Sequence, residues 1–237
     1  AQVSMEPREG RSLLKISGHL EDIDAEALQT EVLKQRGLIT GTLSGDFYLE
    51  GEAGERFLPT SLGGFSVKIR DGLIYKFKTL AKVFSVLNIS QIFSLRLPDL
   101  TAEGMPFRRL RANVSLHEGV LSTEDLVVDS DAMNLSLVGS GDLVRQQLDL
   151  VLGVKPLRTV DKIVTKIPIA GWILGGEEKA LVTVLFEIKG KTSDPKVAPM
   201  PVSSVSEKVL GVFRRVWGLP GKVVSGVGEM LKEEPKK

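Results

Sequence analysis

Apolar residues recur at every second position through most of this chain, and that alternation decides what it can fold into. Leu148, Leu150, Leu152 and Val154 keep the period, and so do Val182, Val184, Phe186 and Ile188. A period of two turns one side of an extended strand away from water, whereas a helix needs a period of about 3.6. Between the two runs lies VKPLRTVDKIVTKIPIAGWILGG, Val154 to Gly176, nearly uncharged from Ile167 onward, with Trp172 on a glycine-flanked turn. Its uncharged part, Ile167 to Gly176, is about half of what a helix needs to span a bilayer.

The same alternation predicts strands around Arg11–Leu20, through Leu14, Ile16 and Leu20, and over Gly41–Gly51, through Leu43, Phe47 and Leu49. A third, Phe65–Ile69, is expected to close at the turn dipeptide Asp71–Gly72. Phe93, Leu95 and Leu97 alternate next. Runs at Leu110–Leu116, Val120–Asp129, Met133–Leu137 with a turn at Gly139–Gly141, and Leu148–Val154 then read as an antiparallel meander. The last strand is Leu181–Gly190, followed by a proline-rich extended stretch through Pro195, Pro199 and Pro201.

Helical spacing interrupts the strands at Asp24–Gln35, capped by Asp22 or Asp24, at Leu73–Asn88 and at Thr159–Lys166. A terminal helix follows Ser203 or Ser204, with Val205, Val209, Val212, Phe213 and Val216 on one side and Lys208, Arg214 and Arg215 carrying its charge. The expected fold class is therefore α+β and β-rich: a curved antiparallel sheet of about eight to ten strands, with an apolar inner face covered partly by amphipathic helices. Residues 1–202 form the β domain with its inserted helices, and residues 203–237 form the terminal amphipathic helix and a frayed tail.

Composition removes several function classes. With 237 residues, 42% of them hydrophobic, the chain can bury a substantial core. A net charge of +1 gives no electrostatic case for nucleic acid. Cysteine is absent, which excludes disulfides and thiolate metal sites, and the two histidines, His19 and His117, lie far apart in sequence. GSGD at Gly139–Asp142 lacks the lysine motif and helix of a phosphate loop. Asp125, Asp129 and Asp131 lie near a strand turn, where carboxylates can bind a cation, but they read as solvating the turn. No nucleophile, base and orienting group recur together, so neither an enzyme nor a cofactor is expected. The chain lacks an initiating Met and a signal-peptide pattern, and is expected to be a piece of a longer protein.

Several stretches together resemble the C-terminal region of the AsmA-like family, most closely its YhdP-type members. They are GTLSGDFYLEG at Gly41–Gly51, IRDGLIYKFKTLAKVFSVLNIS from Ile69, GMPFRRLRANVSLHEGVLSTEDLVVDS at Gly104–Ser130, LVGSGDLVRQQLDLVLGVKPL, KIPIAGWILGG and FEIKGKTSDPKV. The resemblance runs from about Leu14 to Val205. It implies a periplasm-facing region of a long envelope protein in a double-membrane bacterium, anchored by an inner-membrane helix absent from this sequence. It also implies bridge-like transfer of phospholipid along an apolar sheet, with no catalytic motif to carry over.

The lipid-contacting face is expected at Val67, Ile69, Val114, Leu116, Leu135, Leu137, Leu150, Leu152, Val184 and Phe186. The terminal helix packs on the sheet or lies on a membrane surface or partner, and Ile167–Gly176 is either buried loop packing or an exposed lip. Contact with a membrane surface or an envelope protein partner is then expected at Ile169, Trp172, Ile173, Phe213, Arg214, Arg215 and Trp217. A nine-residue strand spans roughly 30 Å, and burying about 16 methylenes is worth on the order of 10 kcal/mol, so an acyl chain needs no polar site to hold it. Periodicity leaves a second reading open, an envelope scaffold module with a closed, dry core that docks a partner. The oligomeric state is not legible from these patterns.

Overall fold

Among the described residues ten strands follow one another and pair in the same order, each antiparallel to the next. They are β1 (Gln2–Arg8), β2 (Arg11–Asp24), β3 (Thr42–Glu52), β4 (Leu62–Ile74), β5 (Met105–His117), β6 (Val120–Asp129), β7 (Met133–Asp142), β8 (Gln147–Pro156), β9 (Val184–Lys191) and β10 (Lys196–Pro199). The sheet is open, with β1 and β10 at its edges. Among the described residues two helices accompany it, α1 (Ala25–Glu31) and α2 (Glu207–Trp217), with one 3-10 turn at Leu58–Thr60. The computed structural model describes residues 1–8, 11–31, 38–75, 104–131, 133–156, 184–201 and 204–217. The helix expected at Leu73–Asn88 does not begin at Leu73, since Leu73 and Ile74 pair in β4. Its residues from 76 on, the strand at Phe93–Leu97, the helix at Thr159–Lys166 and the terminal tail lie outside the described residues.

Residues directly opposite in an antiparallel ladder share a face, so the register traces the faces of the whole sheet. Val67 stands between Gly45 and Ala112, and Ile69 between Leu43 and Leu110. Leu135 stands between Val128 and Val154, Leu137 between Leu126 and Leu152, and Val154 and Leu152 lead on to Val184 and Phe186. One apolar row system thus crosses the sheet, from Val3 and Met5, which face Ile16 and Leu14, to Ile188. The opposite face carries Asp46, Lys68, Arg111, Asn113, Ser115 and Asp149.

Three expectations are corrected. The Asp71–Gly72 dipeptide does not end its strand: β4 passes through it to Ile74, with Asp71 at φ 50°. Opposite it, the buried positions of β5 change parity, from Met105 and Phe107 to Leu110, Ala112 and Leu116. Gly139–Gly141 is likewise inside β7, and the turn falls at residues 143–146. Gly139 takes φ 130°, and a Cβ there would lie 2.2 Å from the Asp149 carbonyl oxygen, so the glycine permits strand contact rather than a turn. The proline-rich stretch supplies an edge strand, β10, and Gln2–Arg8 supplies the other edge, β1.

Two acidic bulges bend the ladder. Between Thr123 and Leu126, β6 holds one residue more than either neighbour, as the pairs Arg111–Val127 and Val114–Thr123 on one side and Thr123–Gly139 and Leu126–Leu137 on the other require. The bulge leaves the Asn113 N–H without a strand partner, and the Asp125 carboxylate accepts it at 2.7 Å. In β2 the extra residue falls at Glu21–Asp22, where Asp22 at φ 48° donates its N–H to Ser44 Oγ and accepts Arg70 Nη2 at 2.7 Å. Asp24 caps α1, accepting the N–H groups of Glu26 and Ala27. Ser206, rather than Ser203 or Ser204, stands before α2 and accepts the Val209 N–H.

Candidate functional site

The apolar face changes character across the sheet. Val3 and Met5 on β1 are 69% and 61% exposed. On β2 to β4, Leu14, Ile16, Phe47, Leu49, Phe65 and Val67 are half-buried. On β7 to β9 the face is closed at Leu135, Leu152, Val154, Val184 and Ile188, with Phe186 0% exposed, while Leu137, Leu148 and Leu150 stay half-buried. Of the ten residues expected to contact lipid, Val67, Val114, Leu137 and Leu150 are half-buried, while Ile69, Leu116, Leu135, Leu152, Val184 and Phe186 are buried. Ladder pairing brings all ten to one face.

Of the residues expected to contact a membrane or partner, Phe213 and Arg215 are described in full. Ile169, Trp172 and Ile173 lie outside the described residues. Phe213 is 0% exposed and belongs to the packed core with Leu210, Val212 and Leu185, so its ring faces inward rather than toward a bilayer. Arg215 is exposed. Arg214 and Trp217 fall within α2, their side chains outside what is described. The helix packs against β6 and β7, and Lys208 Nζ reaches Glu124 Oε1 at 2.6 Å, beside the β6 bulge.

The opposite face is not uniformly wet. Asn113, Ser115 and Asp149 are exposed and Asn134 is half-buried, but Ser136 is 0% exposed, with Val138 and Leu185 of the same face also buried. Period two cannot signal this, because one polar residue covered by a distant helix leaves the alternation intact. The face also carries a concavity of about 1360 Å³ over β2–β6, with Val212 and Arg215 of α2 in its wall. His19 and Val127 enter that wall without their chain neighbours, and both belong to the polar rows, which places the concavity on this side of the sheet.

Charges in this concavity are partly settled. His19 Nδ1 lies 2.8 Å from Asp46 Oδ1, Glu124 holds Lys208, and Asp125 holds the Asn113 N–H. Away from it, the Glu187 carboxylate, 2.7 Å from Lys189 Nζ, holds the Lys189 ammonium above its ordinary value, with Asp149 adding to the effect. Among the described residues no group of three His, Cys, Asp or Glu side chains is placed to hold a metal ion.

An open antiparallel sheet with one continuous apolar face, exposed at one edge and closed toward the other, defines a protein organised around an apolar surface. Residues 12–197 match the family described as YhdP protein, and the chain belongs to that family. It is thereby an AsmA-like protein of the bacterial envelope, in a family related to lipid transport. No curated protein and no solved structure matches the chain. No helix among the described residues is long and apolar enough to cross a membrane.

Proposed function

We propose that this region carries phospholipid between the inner and outer membranes, as the C-terminal part of a longer envelope protein facing the periplasm. It acts passively. Acyl chains lie on the half-exposed apolar rows of β2–β4 while headgroups remain in water, and no cofactor takes part. The gradient of exposure carries this reading, because a face left open over Ile16, Leu49 and Phe65 forgoes burial that a finished core would take. Strand direction supports a bilayer or partner contact at one end. The connections after β2, β4, β6 and β8 all leave from that end, including residues 75–104 and 157–183, the latter with Ile169, Trp172 and Ile173.

The closed rows of β7–β9 favour a second reading for that part, a scaffold with a dry core that docks an envelope partner. Native mass spectrometry of the gently purified chain separates the two. Transport predicts a copurifying phospholipid that is lost from an Ile16→Asp variant whose melting transition persists. A clean apo mass from the unmodified chain contradicts transport and leaves the scaffold.

A further inference from the structure

We infer that the polar face, on the side of the sheet away from the proposed lipid rows, holds a binding site for a phosphate group at Lys68, Arg111 and Arg215. The register is the starting point. Lys68 of β4 stands directly opposite Arg111 of β5, and one rung on, Arg70 stands opposite Arg109. Opposed like charges in a ladder sit with Cβ atoms about 5 Å apart and destabilise the pair. Here the repulsion occurs on two successive rungs of a chain whose net charge is only +1.

One of the two rungs is relieved within the protein. Arg70 is ion-paired to Asp22 at 2.7 Å, and Arg109 stands opposite Asp129 in the next strand. The Lys68–Arg111 rung has no such relief, since its flanking residues are Ser44 and Val127. Lys68, Arg111 and Arg215 line the same concavity, and each is exposed. Among the described residues none of the three forms an ion pair.

The carboxylates in that wall are spoken for. Asp46 is held by His19, Glu124 by Lys208, and Asp125 by Asn113. The concavity thus presents two guanidinium groups and an ammonium from three different elements, with its acids already engaged. Phosphate oxygens match guanidinium forks two at a time. A phosphate placed there neutralises the Lys68–Arg111 repulsion, which no ion pair among the described residues answers. The site needs no acyl chain, so it stands or falls independently of transport along the apolar face.

The experiment is a thermal melt of the full chain in inorganic phosphate against chloride at matched ionic strength. It is repeated on Lys68→Gln, Arg111→Gln and, as a control cation elsewhere, Lys191→Gln. The site predicts a phosphate-specific rise in Tm for the unmodified chain and the control, with the phosphate concentration needed raised about tenfold or more by either site variant. In chloride alone, Lys68→Gln should melt no lower than the unmodified chain, because it removes a repulsion. Flotation with vesicles of phosphatidylcholine, with and without phosphatidylglycerol, separates the sources of the group. Flotation only with phosphatidylglycerol, lost in both site variants, supports a lipid headgroup, and a phosphate response without flotation supports a soluble phosphate compound. A rise no larger in phosphate than in chloride, or one equal in all four proteins, overturns the site.

Discussion

Ser136 is the residue whose surroundings fit it least. Its row begins among exposed cations at Lys68 and Arg111, yet its hydroxyl is buried and lacks a hydrogen-bond partner among the described residues. An orphaned buried hydroxyl costs about 1–3 kcal/mol relative to a satisfied one. Ser136→Ala should therefore raise stability by about 1 kcal/mol, read as a higher urea midpoint with an unchanged slope; a lower midpoint would show that the hydroxyl has a partner. Asp142 is the reverse case. Its carboxylate accepts the Arg145 N–H at 2.7 Å and the Arg145 guanidinium at 3.0 Å, the first being the larger cause that holds its titration below the usual carboxylate range. A lowered folded value means the contact stabilises at neutral pH and is lost as pH falls through that value. Carboxyl-detected NMR should place the Asp142 midpoint below those of unpaired aspartates, and Arg145→Ala, which removes the guanidinium but keeps the backbone N–H, should bring it up only in part; a midpoint in the unmodified chain no lower than theirs contradicts the assignment.

Among the elements, the acidic bulges and α2 hold the most structural detail that periodicity cannot carry. Asp125 stands in for a strand at the one N–H the β6 bulge leaves unpaired, so Asp125→Ala should cost about 1–3 kcal/mol, measured by chemical denaturation, and an effect near zero would mean that water replaces it fully. Phe213 is fully buried in the core cluster, so Phe213→Ala should cost about 3–5 kcal/mol; a negligible loss would restore the outward-facing reading of that ring. The alternation at Leu148–Val154 and Leu110–Leu116 made the strands and their shared face legible in the sequence, since a one-residue slip would have reversed every side chain. Strand ends were not legible. Asp71–Gly72 and Gly139–Gly141 have turn composition, yet the pairing on either side carries the backbone straight through them. The edges escaped for a different reason: β1 and β10 have only one neighbour each, and Pro7, Pro195 and Pro199 suit an edge as well as a loop.

Across the whole molecule, one face serves two purposes. Toward β9 it is core, and toward β1 it is surface. The ten expected lipid-contacting residues share that face, but alternation is the same in a covered row and an open one, which is why the sequence could not sort Val67 from Phe186. The structure sorts them by burial. Val184 is 4% exposed within the core cluster, so Val184→Asp should unfold the domain, because a buried unpaired carboxylate costs several kcal/mol against a total stability of about 5–15. Ile16 and Leu49, paired across β2 and β3, are half-buried and lie outside that cluster, so a carboxylate at either should leave a cooperative melt. Unfolding at all three positions would make the entire face a closed core.

The most direct measurement of the central claim is photo-crosslinking to phospholipid, with a photoreactive phenylalanine analogue placed in turn at positions 49, 65, 66 and 186. Leu49 and Phe65 belong to the half-exposed apolar rows, Ser66 to the polar face beside them, and Phe186 to the closed part. Lipid transport along the open stretch predicts strong labelling from positions 49 and 65 and background labelling from 66 and 186. Labelling from position 66 as strong as from 65, or none from 49 and 65 in a folded protein, would contradict it.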